Sequence, residues 1–199
     1  MKIILCGGGT AGHVNPALAI AEEIKRKEPD SEILFIGRRD GEENKIMEKA
    51  GFTVKTLAVR GFERRITPKN AKSILLAMRA AGEARKIINE FKPEIVLGTG
   101  GYVCWPVIRA ANRAKIPTVL HESNVYPGLT TRLLSGSVNM MLLNSGKTLE
   151  YLKRRERAKV VGNPLRCDFG KISRRTARLC ISRSAWKKFC AASAIIQSA

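Results

Sequence analysis

Short apolar runs alternate with longer amphipathic stretches from residue 2 to about residue 161. Apolar runs bounded by turn residues are typical of buried strands, whereas apolar residues at helical spacing indicate helices. Strands that alternate with helices imply crossover connections and therefore a parallel sheet. The sequence predicts an α/β fold, a Rossmann-like doubly wound parallel sheet. The predicted strands are residues 2–6, 32–36, 53–58, 94–98, 118–121, 138–143 and 159–161.

The sequence predicts two helices with definite ends. Asn15 is a candidate N-cap and Pro16 is suited to a first helical position, so a helix is predicted over residues 16–27. A long amphipathic stretch predicts a second helix over residues 68–91.

The alternating pattern stops after Gly162-Asn163-Pro164, a sequence typical of a break at the end of a strand. Residues 159–199 hold nine basic residues and one acidic residue, whereas residues 1–158 hold 27 and 16. We therefore predict a domain over residues 1–166 and an atypical basic tail over residues 167–199. The tail has the composition of a disordered segment, and a shifted reading frame or a premature end of the coding sequence would also explain it.

Composition restricts the class of protein. The 199 residues are 44% hydrophobic, which is enough for a real core, and no apolar run reaches the roughly 18 residues of a membrane-spanning helix. Glycines follow the first strand too early for a signal peptide, so a cytoplasmic location is expected. A formal net charge of +19 indicates an anionic partner, such as anionic lipid, a phosphorylated substrate or nucleic acid. Because no nucleic-acid-binding motif is present, nucleic acid is not predicted.

The cysteines show neither a C-x-x-C pair nor metal-ligand spacing with the two histidines. Free thiols and no metal site are therefore expected. The five cysteines are Cys6, Cys104, Cys167, Cys180 and Cys190.

The first predicted strand leads into Gly7-Gly8-Gly9-Thr10-Ala11-Gly12-His13 and then a helix. Glycines let the backbone approach a ligand closely, and a helix amino terminus offers N–H groups to anions, so this loop is a candidate diphosphate site. The same glycines match the dinucleotide pattern G-x-G-x-x-G. However, the second strand ends in Gly37-Arg38-Arg39 and lacks the acid that would hold a ribose. A tight turn without any ligand is a third interpretation.

A second glycine loop, Gly98-Thr99-Gly100-Gly101-Tyr102, follows the fourth predicted strand. Ligands of open α/β sheets bind at the carboxyl ends of strands where the winding reverses, so both loops would face one phosphate-bearing ligand. A purely structural turn is the alternative.

The fifth predicted strand ends in His121-Glu122-Ser123-Asn124, at the same edge of the sheet. A buried carboxylate there would orient a sugar hydroxyl or an imidazole. Alternatively, Ser123 or Asn124 caps a helix and Glu122 is solvated.

Four motifs together resemble the MurG-type glycosyltransferases of family 28, in order and spacing, over residues 1 to about 166. They are Gly8-Gly9-Thr10-Ala11-Gly12-His13 with Asn15-Pro16, Lys92-Pro93-Glu94-Ile95-Val96-Leu97-Gly98-Thr99-Gly100-Gly101-Tyr102, His121-Glu122-Ser123-Asn124, and Val161-Gly162-Asn163-Pro164-Leu165-Arg166. Two departures stand out: Ala11 replaces a glycine, and Cys104-Trp105 stands where the family has small residues, which would narrow the acceptor cleft.

The resemblance implies the amino-terminal, acceptor-binding half of a GT-B glycosyltransferase. Such an enzyme transfers N-acetylglucosamine from UDP-N-acetylglucosamine to the C4 hydroxyl of lipid I, the lipid-linked N-acetylmuramyl-pentapeptide, and gives lipid II for peptidoglycan. The reaction inverts the anomeric centre and needs neither a cofactor nor a bound metal. Most of the donor site belongs to a second domain, which nothing after Arg166 resembles. The alternatives are an acceptor-binding subunit that works with a donor domain in trans, and an inactive fragment.

The resemblance also implies roles for individual residues. His13 would be the general base or would bind the acceptor, and Glu122 would be the alternative base or an acceptor-orienting group. Tyr102 and Asn124 would hold sugar or peptide, and Asn163 and Arg166 would lie on the donor side. The acceptor diphosphate would be bound by Gly8, Gly9, Thr10, Gly12, Gly100 and Gly101.

A lipid-linked acceptor implies peripheral attachment to the cytoplasmic face of the cell membrane. Residues 60–85 combine basic and apolar side chains, which favours a membrane-binding surface, although the apolar residues lie at helical spacing and would also suit a core. The residues of this predicted patch are Arg64, Arg65, Lys69, Lys72, Ile74, Leu75, Leu76, Met78 and Arg79.

Overall fold

A computed structural model of the chain describes residues 1–61 and 68–164, without the side chains of residues 11, 68–72 and 74. The predicted tail over residues 167–199 lies outside the described residues, as do Arg166 and three of the cysteines, so the predicted domain boundary stays a prediction.

Seven parallel strands form one sheet in the order β3-β2-β1-β4-β5-β6-β7. From β1, the chain first adds β2 and β3 on one side of the sheet and then β4 to β7 on the other side, so the winding reverses between β1 and β4. The predicted α/β, doubly wound parallel sheet is thus confirmed. The strands are β1 (Lys2–Cys6), β2 (Glu32–Arg38), β3 (Thr53–Leu57), β4 (Ile95–Gly98), β5 (Thr118–Glu122), β6 (Met140–Leu143) and β7 (Ala158–Val160).

Helices cover both faces of the sheet, and each face has its own apolar core. The first two helices pack on one face, and the other three pack on the opposite face. The helices are α1 (Ala11–Lys27), α2 (Glu42–Lys49), α3 (Pro68–Phe91), α4 (Cys104–Arg113) and α5 (Leu129–Leu134). Two 3-10 turns, Gly146–Tyr151 and Arg155–Arg157, connect β6 to β7.

The start of α1 differs from the prediction. The helix begins at Ala11 rather than at Pro16, and Asn15 is not its N-cap. The proline sits inside the helix, where its missing N–H would have donated to the carbonyl of Gly12. Because Gly12 is exposed in the first turn, water can satisfy that carbonyl. The cost of the proline is therefore small, and the helix reaches back to the glycine loop.

Strand ends also differ from the prediction by one or two residues in every strand except β1; β2, for example, extends to Arg38 rather than ending at Ile36. β6 begins at Met140 rather than at Val138, because the N–H of Val138 donates to the carbonyl of Leu134 at 3.1 Å and continues the end of α5. β5 extends one residue further, to Glu122. Helix α5 begins at Leu129 with Gly128 as its N-cap, so the alternative in which Ser123 or Asn124 caps a helix is wrong.

None of the helices in the described part of the chain is both long enough and apolar enough to cross a membrane.

Candidate functional site

The two glycine loops meet at the carboxyl edge of the sheet, where the winding reverses between β1 and β4. Gly101 lies against the peptide of Gly8, and a Cβ at Gly101 would overlap the carbonyl oxygen of Gly8. Gly9, Gly100 and Gly101 have φ values of 92°, 105° and 82°, which residues other than glycine rarely adopt. Glycine at these positions therefore lets the two loops form one surface.

Backbone donors line this surface. Within residues 1–61 and 68–164, no protein acceptor takes six of the N–H groups of the two loops, whereas those of His13 and Thr99 donate to the carbonyls of Thr10 and Cys6 at 3.0 and 2.9 Å. Unpaired N–H groups at the amino terminus of a helix attract anions, and the α1 dipole adds to that attraction. The donors belong to Gly8, Gly9, Thr10, Gly100, Gly101 and Tyr102. Gly12 is exposed in the first turn of α1, beside them.

His13 joins the two loops through Thr99. The Thr99 hydroxyl donates to the carbonyl of His13 at 2.7 Å, and the ring Nδ1 of His13 lies 3.1 Å from the carbonyl oxygen of Thr99. Because a carbonyl only accepts, Nδ1 must carry a hydrogen, and in the neutral ring Nε2 then has a free lone pair. His13 is half-buried, so this geometry orients a proton acceptor beside the glycine loops.

Tyr102 borders the same surface. Its half-buried ring lies against Gly9 and Gly61, where a Cβ would come within 3.1 and 3.3 Å of the ring. The ring thus packs against one side of the first loop.

Glu122 is buried, and both of its carboxylate oxygens are engaged by the loop that follows β5. Oε1 accepts the backbone N–H and the side-chain amide of Asn124, each at 2.9 Å, and Oε2 accepts the N–H of Gly128 at 3.2 Å. The alternative of a solvated Glu122 is wrong. The geometry instead suits a group that orients Asn124, which is exposed at the same edge.

His121 connects β5 to the chain beyond β7. Its ring is fully buried, and Nε2 lies 3.1 Å from the carbonyl oxygen of Gly162. Burial lowers the pKa of His121 below its usual value and keeps the ring neutral at neutral pH. This contact holds Gly162, which precedes exposed Asn163, at the carboxyl end of β5.

Sequence reasoning missed Glu43, in the first turn of α2. Its carboxylate is 95% buried, accepts the N–H of Arg38 at 3.2 Å and packs directly against Gly8. An acid at the start of the helix after β2 was the available signal, because acids favour helix amino termini.

Cys104 does not narrow the acceptor cleft, contrary to the sequence prediction. Its side chain is fully buried under the second loop, and its thiol donates to the carbonyl of Gly100 at 3.1 Å. Trp105 lines a groove of about 310 Å³ between α4 and α5 rather than the glycine loops.

Cys6 and Cys104 are free thiols, as predicted, with their sulfur atoms 3.8 Å apart. The hydrogen bond to Cys104, together with burial, raises the pKa of Cys6 well above its usual value. In the part of the chain that the structure describes, no cluster of three or more histidine, cysteine or acidic side chains is arranged to hold a metal ion.

A sequence profile of the glycosyltransferase family 28 N-terminal domain matches residues 3–143, which is more than half of the chain. The chain belongs to glycosyltransferase family 28. The matched range includes both glycine loops, His13 and the β5 edge with Glu122 and Asn124, and it ends with β6.

Family 28 relatives are close in sequence. The chain is 45% identical over 178 residues to the UDP-N-acetylglucosamine–N-acetylmuramyl-(pentapeptide) pyrophosphoryl-undecaprenol N-acetylglucosamine transferase of Acetivibrio thermocellus, and the match covers 89% of this chain and 48% of the relative. The protein of the same name in Alkaliphilus oremlandii is 46% identical over 173 residues, with 87% and 47% covered. The chain thus spans about half the length of the curated relatives it matches.

Solved structures show the same fold. MurG of Acinetobacter baumannii matches with a TM-score of 0.64 and 24% identity over 74% of this chain and 42% of that chain. A UDP-GlcNAc 2-epimerase from Neisseria meningitidis, bound to UDP-GlcNAc, matches with a TM-score of 0.60 and 15% identity over 82% of this chain and 46% of that chain. The family 28 chain therefore has the fold of the amino-terminal half of a GT-B protein.

Proposed function

We propose that this chain is the acceptor-binding half of an inverting transferase that moves N-acetylglucosamine from UDP-N-acetylglucosamine to the C4 hydroxyl of lipid I, giving lipid II. The observation that carries the proposal is the junction of the two glycine loops, where unpaired N–H groups lie beside His13. The shared name of the relatives, which specifies an N-acetylglucosamine transferase and a pyrophosphoryl-undecaprenol substrate, supports it.

The loops would hold the acceptor diphosphate. Two adjacent phosphates need several donors on a concave backbone surface, and both loops supply such donors at the positive end of α1. Gly101 packs so closely on Gly8 that one diphosphate can reach both loops.

His13 would take the proton. As the acceptor O4 forms a bond to the anomeric carbon, the bond from that carbon to the diphosphate of UDP breaks, and the O4 proton passes to Nε2 of His13. Glu122 would act through Asn124, because both of its oxygens are occupied by the loop. Asn124 and Tyr102 would then contact sugar or peptide, and Asn163 would lie towards the donor. Arg166, the other predicted donor-side residue, is outside the described residues.

The first test is ligand choice. We expect the purified chain to bind a soluble lipid I analogue and not NADH, because β2 ends at Arg38 and is followed by Arg39, not by the acid that would hold a ribose at the end of the strand. Calorimetric titration of both ligands measures this. Micromolar binding of NADH without binding of the analogue would overturn the assignment in favour of a nicotinamide nucleotide.

We further propose that α3 contacts the cytoplasmic face of the membrane. Leu75 and Met78 are 60% and 61% exposed, so these two side chains do not face the core, and Arg79 is exposed beside them. Leu76 is half-buried. Apolar side chains flanked by cations favour an anionic bilayer surface. Other members of the predicted patch lie outside the described residues or side chains: Arg64, Arg65, Lys69, Lys72 and Ile74.

Replacing Leu75 and Met78 together by serine should weaken binding to anionic vesicles by at least about fivefold, because two largely exposed apolar side chains lose their burial in lipid. Co-sedimentation of the full chain measures this, and the basic tail contributes equally to every variant. Val160→Ser, at an exposed valine on β7, is the matched control and should bind like the parent. Unchanged binding of the double variant, or equal binding to neutral and anionic vesicles, would exclude this surface.

A further inference from the structure

A carboxylate lies directly behind the surface that faces the proposed diphosphate. Glu43 is only 5% exposed, and its Oε1 accepts the N–H of Arg38 at 3.2 Å. Its carboxylate fills the space against both Gly8 and Gly41, where a Cβ at either glycine would overlap it. Gly8 is therefore enclosed between Glu43 on one side and Gly101 on the other.

No cation neutralises this carboxylate within the described residues. Glu43 takes part in none of their ion pairs, and the neighbouring Lys45 pairs with Glu42 at 3.1 Å instead. The Oε2 atom of Glu43 accepts no hydrogen bond from any described group. Among the described residues, the carboxylate of Glu43 thus has no ion-pair partner, and it lies behind a site that attracts anions through backbone N–H groups.

That arrangement distinguishes ligands by their charge. A diphosphate esterified at both ends carries two negative charges, whereas a terminal diphosphate gains a further charge when its last phosphate ionises, with a pKa near 6. A phosphate held by the amides of the first loop would lie roughly 6–8 Å from the carboxylate, and one extra unit charge at that separation changes a binding constant by about 30- to 100-fold at an effective dielectric constant near 20. Salt screens part of this effect and leaves a difference of about tenfold.

We propose that Glu43 makes the glycine-loop site selective for a diphosphate esterified at both ends, as in a lipid-linked sugar diphosphate, over diphosphates with a free terminal phosphate. The inference rests on the proposed function, because it assumes that the loops bind a diphosphate. Glu43 is a specificity-determining residue. Its negative charge repels the extra charge of the ligand, and its side chain packs against Gly8.

The test uses two ligands that differ only in a methyl group on the terminal phosphate. N-acetylmuramyl diphosphate and its terminal methyl ester are titrated calorimetrically into the full 199-residue chain at pH 8. The parent should bind the methyl ester about tenfold more tightly. Glu43→Gln keeps the shape and the acceptor for Arg38 but removes the charge, so the preference should fall to within about twofold through tighter binding of the free diphosphate. Glu42→Gln removes the same charge from an exposed neighbour and should behave like the parent.

The outcomes distinguish the proposed diphosphate site from the proposed role of Glu43. If no protein binds either ligand, the diphosphate site is wrong, and the selectivity falls with it. If both ligands bind but Glu43→Gln keeps the parental preference, or if Glu42→Gln loses it as well, the role of Glu43 is wrong and the site stands. If Glu43→Gln keeps the parental unfolding midpoint yet binds neither ligand, Glu43 only supports the loop, which also overturns the selectivity. Lowering the pH to 5.5 should reduce the parental preference, because the terminal phosphate then loses its extra charge.

Discussion

The 199-residue chain alone should transfer N-acetylglucosamine to a soluble lipid I analogue at no detectable rate. An in-line displacement needs the anomeric carbon of the donor to be held against the acceptor hydroxyl, and such positioning contributes roughly 7–11 kcal/mol to the barrier reduction. Under the proposed function, the chain, which spans about half the length of its relatives, supplies the acceptor side of this arrangement. Transfer of labelled sugar from UDP-N-acetylglucosamine measures the rate.

A joined two-domain protein is the positive control for this prediction. Residues 1–164 joined to the second half of the Acetivibrio thermocellus relative should restore transfer, because the donor then faces the acceptor loops. Adding that second half as a separate polypeptide tests whether the chain works as a subunit with a donor domain in trans. Labelled product from the 199-residue chain by itself would reveal a donor site within it and contradict the half-site assignment.

The sheet was predictable from sequence because its central strands are buried on both faces. Strands such as Lys2–Cys6 and Met140–Leu143 read as nearly unbroken apolar runs, a local signal that needs no knowledge of distant contacts. The helix α3 was likewise predicted with its observed limits, Pro68–Phe91. The start of α1 was not, because propensity rules place a proline at the first turn and do not register that Gly12 leaves its carbonyl open to water.

The candidate site was predictable only where it is local in sequence. Each glycine loop is contiguous and follows a strand, so its position at the sheet edge follows from the strand itself. The contacts between distant residues carry no such signal. Thr99 binds His13 across 86 residues, and His121 binds Gly162 across 41. The position of Glu43 at a helix start is a local signal, but its contact with Gly8 exists only in the folded sheet, so the sequence does not connect it to the glycine loop.

In the joined two-domain protein, His13→Ala should lower kcat by about 100-fold or more, because positioned general bases contribute roughly 10² to 10⁴. The free lone pair on Nε2 is the reason, since Nδ1 is directed at the carbonyl of Thr99. Initial rates at saturating donor and acceptor measure this. Glu122→Gln should instead raise the acceptor KM more than it lowers kcat, because its amide replaces one of the two oxygens that fix the loop carrying Asn124.

His13→Asn separates proton transfer from the structural link between the loops. The asparagine amide can donate to the carbonyl of Thr99 much as Nδ1 does, but it has no basic nitrogen to accept the O4 proton. If His13 is the base, His13→Asn should lose as much kcat as His13→Ala. A His13→Asn variant that keeps most of the parental kcat, while His13→Ala loses it, would mean that the ring only holds the two glycine loops together. Full turnover in both variants would remove His13 from the chemistry and leave Glu122 as the remaining candidate base.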